Sequence, residues 1–164
     1  MKTKDITTIS ALTAMSVVIG ILESLITPVG DILPGLKLGL ANVIIVFALY
    51  KYNFSKALMI SIIRVFIVAL LRSGFGFNFF FSLGGALLSI IVMALAKKTH
   101  LSLIGVSILG SISHSIGQVL IGMLILKNSN IIYYLPYLTL FSIPTGIIIG
   151  VIAKKLINNT KNII

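Results

Sequence analysis

Arg64 stands inside an unbroken apolar run, residues 57–71 (ALMISIIRVFIVALL). A guanidinium in the middle of a membrane helix costs about 2.5–3.5 kcal/mol on insertion scales, so it faces a partner or a water-filled cavity. The chemistry open to it is recognition of an anion or a carbonyl through fixed N–H donors. Other polar groups share this setting: Glu23, Lys37, Asn42, His114 and Gln118 all fall within or beside apolar segments. They are the candidate substrate-binding residues. Glu23 and Arg64 could instead simply pair to hold two helices together. His114 and Gln118 could equally be interhelical glue.

The elements that must position these groups are membrane helices. The chain has 164 residues, of which 58% are hydrophobic and 10% charged. A soluble domain carries about 25% charged residues. Six apolar segments can be drawn, at 6–27, 36–51, 55–72, 76–96, 101–126 and 131–153, in one transmembrane domain spanning 1–164. Spanning a bilayer takes roughly 20 residues, so the second and third segments are near or below the requirement. The first follows Met1-Lys2-Thr3-Lys4-Asp5 and ends in Glu23-Ser24 without a small-residue cleavage site, which reads as a retained helix.

The formal net charge of +10 would suggest nucleic acid in a soluble protein. Here the basic residues lie between apolar segments, where they report topology instead. With the N-terminus inside, Lys2, Lys4, Lys51, Lys56, Lys97, Lys98, Lys154, Lys155 and Lys161 are cytoplasmic, and only Lys37, Arg72 and Lys127 are outside. This positive-inside bias predicts six spans with both termini in the cytoplasm. The polar intramembrane groups then lie between mid-membrane and the outer surface. The inner halves are almost purely aliphatic, as an outward-opening cavity requires.

Helical periodicity agrees. Ser107, Ser111, His114, Gln118 and Gly122 share one face of the fifth helix, opposite Ile108, Leu109, Ile112, Ile116, Val119 and Leu120. Thr13, Ser16, Gly20, Glu23 and Thr27 do the same on the first. The tyrosines 133, 134 and 137 and the phenylalanines of 75–81 read mainly as an interfacial aromatic belt. Pro144 is expected to kink the sixth helix, and Asp31 reads as a solvated turn residue.

The catalytic inventory is short. There is no phosphate-binding G-x-x-x-x-G-K-[ST] loop, no H-E-x-x-H, no G-x-S-x-G and no cysteine. The only carboxylate side chains, Asp5, Glu23 and Asp31, are too scattered to hold Mg²⁺ around a diphosphate. Neither catalytic residues, nor a metal site, nor a cofactor is expected, and the chain cannot hydrolyse ATP alone.

Several stretches together resemble one bacterial membrane family over nearly the whole chain, in order. They are Pro34-Gly-Leu-Lys-Leu-Gly-Leu-Ala-Asn-Val-Ile44, Ser61-Ile-Ile-Arg64, Ser82-Leu-Gly-Gly-Ala-Leu-Leu-Ser89, Ile104-Gly-Val-Ser107, His114-Ser-Ile-Gly-Gln118 and Tyr133-Tyr-Leu-Pro-Tyr137. That family is labelled both Gx transporter and heptaprenyl diphosphate synthase component I. The second label implies an accessory role beside a prenyl synthase catalytic subunit in quinone biosynthesis. The chain also resembles, in architecture, the substrate-binding S component of an energy-coupling-factor (ECF) transporter. That likeness implies an all-α six-helix bundle in the bacterial cytoplasmic membrane and a small solute bound near the outer surface. The positive groups of this sequence hint that the solute is anionic. It also implies partner subunits for coupling and ATP hydrolysis. In such proteins small residues on the first helix pack on the coupling subunit, and Thr7, Ser10, Ala11 and Ala14 supply small residues at +3/+4 spacing on the inner half of this one. Ala11 and Ala14 are three apart, where the strict form of that motif has four. The site is expected between the outer halves of helices 1, 2, 3, 5 and 6, closed by the loop 27–35.

Overall fold

The computed structural model describes residues 3–26 and 39–160. Among the described residues every regular element is helical: α1 (Thr3–Ile26), α2 (Asn42–Lys51), α3 (Phe54–Val68), α4 (Phe77–Ala96), α5 (Leu103–Leu126) and α6 (Leu135–Thr160). A π-helical turn, Ala69–Ser73, ends α3, and a 3₁₀ turn, Ser129–Tyr134, leads into α6. Five of the helices are long and apolar enough to cross a membrane, and the chain is a multi-pass membrane protein.

The exception is α2. It has 10 residues, hence about 15 Å of rise, half of a bilayer's ~30 Å core. The second helix was expected from residue 36. Residues 36–38 lie outside the described part of the chain, and Gly39 to Ala41 form a turn before Asn42. Gly39 takes φ +72°, a conformation that side chains with a Cβ avoid. Its position is fixed by its N–H, which donates to the Glu23 carboxylate. Every residue from Val43 to Leu49 is buried. With apolar side chains on all sides, α2 is the central strut of the bundle.

Local signals explain the other helix ends. Asn53 and Ser102 cap α3 and α5 by accepting from Lys56 N and Gly105 N, 2.9 and 3.1 Å away. Gly74, at φ +63°, closes the π turn by donating to Ala69 O. Pro144 lies inside α6 without ending it. The Ser142 and Thr145 hydroxyls on either side donate to Leu138 O and Ser142 O.

The helices alternate in direction, and one pole is rich in lysine. There Lys56 pairs with Asp5 at 2.6 Å. Lys97 donates to Leu49 O at the end of α2, and Lys51 to Thr160 O at the end of α6. Cations therefore sit on the carbonyl ends of helices, where the macrodipole favours them. Arg72 and Lys127 lie at the opposite pole. The main aliphatic core, including Ile45, Leu49, Ile60, Ile90, Val106 and Ile149, occupies the lysine half.

Glycines set the closest helix approaches. A Cβ on Gly117 of α5 would stand 2.6 Å from Gly84 O and 2.9 Å from Gly85 Cα of α4. Both are backbone atoms and cannot turn aside. Gly146 and Gly150 of α6 meet the backbone of Ile108 and Ile104 in the same way. This is the small-residue packing of membrane bundles. Gly117→Val is therefore expected to lower stability by about 1–3 kcal/mol, read as an earlier thermal unfolding transition in detergent. Gly105→Ala meets nothing closer than 3.5 Å and is expected to be neutral or to stabilise by up to ~1 kcal/mol.

Candidate functional site

Opposite the aliphatic core the bundle contains a cavity. It gives about 110 Å³ of room to the centres of water-sized spheres. One water needs roughly 10–15 Å³ on that measure, so the space suits several waters or a small solute. All six helices contribute to its wall. They do so with the end of α1, the start of α2, the second half of α3, the start of α4, the middle of α5 and the first half of α6.

Arg64 forms part of this wall, 8% exposed, and donates to Asn42 Oδ1 at 3.1 Å. Among the described residues Asn42 is its one hydrogen-bond acceptor. A guanidinium has five N–H donors in a rigid fork, so donors remain for the cavity. Asn42 is placed by α2, whose first turn starts here. The amino end of that helix, with its partial positive charge, thus lies at the cavity wall beside Arg64. Glu23 supplies the opposite charge. It is 5% exposed, lines the same cavity and lies within electrostatic reach of Arg64. Its bond to the Gly39 N–H ties the end of α1 to the turn before α2. The site is therefore not a lone ion pair in hydrocarbon. It is a cluster of charged and polar groups set in a wall completed by Val65, Val68, Phe79 and Ile149, around open space.

His114 joins this wall, half-buried, from α5. Gln118, one turn further along, does not. It lines a second cavity with Phe81, Val119 and Tyr134. Gly85 marks the division: a Cβ there would come within 2.9 Å of both His114 Nε2 and Gln118 Cγ, so both side chains close over this glycine. Lys37, Thr27, Asp31 and the loop 27–35 lie outside the described residues.

The sequence reading missed several lining groups. Asn78 and Ser82 of α4, Ser115 of α5, and Ser142 and Thr145 of α6 all reach the first cavity. Ser115 and Ser142 are 2.6 Å apart, hydroxyl to hydroxyl, and join α5 to α6. The signal for Ser115 was present, four residues after Ser111 on the polar face. Serine recurs so widely in α5 that spacing alone does not single it out. Thr13 and Ser16 of α1 are buried as their face predicts, and Ser16 donates to Ala41 O at 3.2 Å. Val119, expected toward lipid, is buried, because α5 turns that edge to the second cavity.

Thr7, Ser10, Ala11 and Ala14 take no part in either cavity. All four are exposed on α1, among the equally exposed Met15, Val18 and Leu22. Among the described residues this helix packs chiefly on α3 and less on α2, and these four side chains face away from both.

No curated protein and no solved structure matches the chain. The profile of one family, heptaprenyl diphosphate synthase component I, does match, over residues 12–156. That match covers α2 to α5 whole and all but the ends of α1 and α6, including every described residue of the first cavity. The chain belongs to the heptaprenyl diphosphate synthase component I family.

Proposed function

We propose that this protein is a membrane-embedded capture subunit that binds a small anionic or carbonyl-bearing solute in the Arg64 cavity. Transport follows when separate subunits hydrolyse ATP, as with the S component of an ECF transporter. The observation that carries the reading is the Arg64–Asn42 pair at the amino end of α2, facing open space inside an apolar bundle. Discontinuous membrane helices whose amino ends point at anionic groups are a recurrent way to bind substrates at membrane depth. Arg64 supplies charge and directional donors, and Asn42 holds its fork. Glu23 fixes the Gly39 turn, while His114 and the serines of α4 to α6 offer further hydrogen bonds.

Topology supports the same reading. The lysine pole is cytoplasmic by the positive-inside rule, which gives six spans with both termini inside and places the cavity in the outer half. The second of these spans contains α2. The exposed small-residue side of α1, with Thr7, Ser10, Ala11 and Ala14 near the cytoplasmic end, is the docking face for a coupling subunit. The family description favours a second reading, in which the chain is the membrane accessory of a prenyl diphosphate synthase. The two differ in their partners. Affinity capture from native membranes is expected to recover ATPase and coupling subunits on the first reading and a soluble synthase on the second.

Two further outcomes are expected of purified protein in detergent. Across a panel of vitamins and metabolites, one anionic or carbonyl-bearing member raises the melting temperature by about 5 °C or more at a hundredfold excess over its Kd. Arg64→Leu abolishes that shift. No shift with any member of a broad panel contradicts the capture reading. In the absence of ligand, Asn42→Leu leaves a buried guanidinium without its acceptor and costs about 1.5–3 kcal/mol. Combining it with Arg64→Leu recovers most of that loss, because the charge that needed the acceptor is gone. Unfolding midpoints of the two single variants and the double variant measure this coupling.

A further inference from the structure

The second cavity gives about 230 Å³ on the same measure, and its character is different. It lies between the later half of α5, the start of α6 and the 3₁₀ turn Ser129–Tyr134. Phe81, Val119, Leu126, Ile131 and Leu138 give it a hydrocarbon and ring wall. Gly122 makes room for Phe81, since a Cβ there would stand 3.3 Å from the ring. The cavity shares no lining residue with the Arg64 cavity.

One strongly polar side chain interrupts this wall. Gln118 is 4% exposed, and its Oε1 has no hydrogen-bond partner among the described residues. A buried amide oxygen left so is a costly arrangement that native structures avoid unless something supplies a donor. Water is a poor candidate. A buried water is held by two to four polar groups, and apolar cavities stay dry. The described wall offers Gln118 and, at its rim, the half-exposed Tyr134. A molecule that fills the apolar volume and brings its own donor satisfies both demands at once.

We infer that this cavity is a second binding site, for a mostly apolar molecule carrying one hydroxyl or N–H group that donates to Gln118 Oε1. The amide sets the orientation of the bound molecule. Phe81, Val119 and Leu138 take its apolar body. Binding here does not involve Arg64, so this site stands or falls apart from the solute reading above.

Photolabelling tests it. A diazirine-bearing octanol and its methyl ether are photolysed with the protein in lipid nanodiscs, and adducts are mapped by mass spectrometry. The alcohol is expected to label Phe81, Tyr134 or Leu138 about tenfold more than the ether, the ratio that ~1.4 kcal/mol of donor-dependent affinity gives. Gln118→Leu is expected to remove that preference without lowering the melting temperature of the unliganded protein, since it deletes an unsatisfied acceptor. Leu138→Trp, which fills the space but keeps Gln118, is expected to suppress labelling by both probes. Equal labelling by alcohol and ether overturns the inference. So do adducts spread evenly over the lipid-facing Leu124 and Leu140, or a Gln118→Leu protein that unfolds early or does not fold.

Discussion

A buried guanidinium in a membrane bundle must be compensated, and the architecture around Arg64 is arranged by that requirement. Hydrocarbon offers the charge nothing, so the cost of α3's central arginine has to be met from neighbouring helices. Asn42 meets part of it directly. It can do so only because α2 begins at this depth instead of crossing the bundle at full length. Glu23 contributes charge from α1 and holds the turn that lets α2 begin there. Three helices are thus tied together by one polar cluster, and a cavity lies where their apolar packing stops.

The rest of the bundle divides along the same boundary. Toward the lysine pole, α2 is surrounded by aliphatic side chains and the packing is dense. Toward the other pole, glycines and serines replace bulky residues on α4, α5 and α6. Close backbone approach at Gly84, Gly117 and Gly146 keeps these three helices together. Serine hydroxyls line the first cavity, while Gly122 and the 3₁₀ turn border the second. A densely packed aliphatic half therefore supports a half that contains the two cavities. The family match spans both halves, as expected if they act as a unit.

Much of this was legible in the sequence, for identifiable reasons. The long helices announce themselves by length and hydropathy. The polar faces of α1 and α5 follow from spacing alone, and Arg64 is conspicuous because charge is so rare here. The start of α2 was not legible. A helix apolar on every side has no periodicity to read, and the turn before it depends on a tertiary bond between Gly39 and Glu23. The separation of Gln118 from His114 was hidden for a related reason. Both lie on one face of α5, but Gly85 on a different helix decides which cavity each one enters. Serines 82, 115 and 142 carry no distinguishing signal until α4, α5 and α6 are packed together.

If the Arg64 cavity captures a solute, water must reach it from the outer side. The chain contains no cysteine, so single cysteines can be placed against a silent background. The most direct measurement is labelling of Ser82→Cys and Thr145→Cys in intact cells with a membrane-impermeant maleimide, with Ser89→Cys as the control buried between α4 and α5. Rapid modification from outside is expected at positions 82 and 145 and none at 89. Modification of 82 and 145 only after the cytoplasmic face is exposed, or at neither face, would contradict the capture reading.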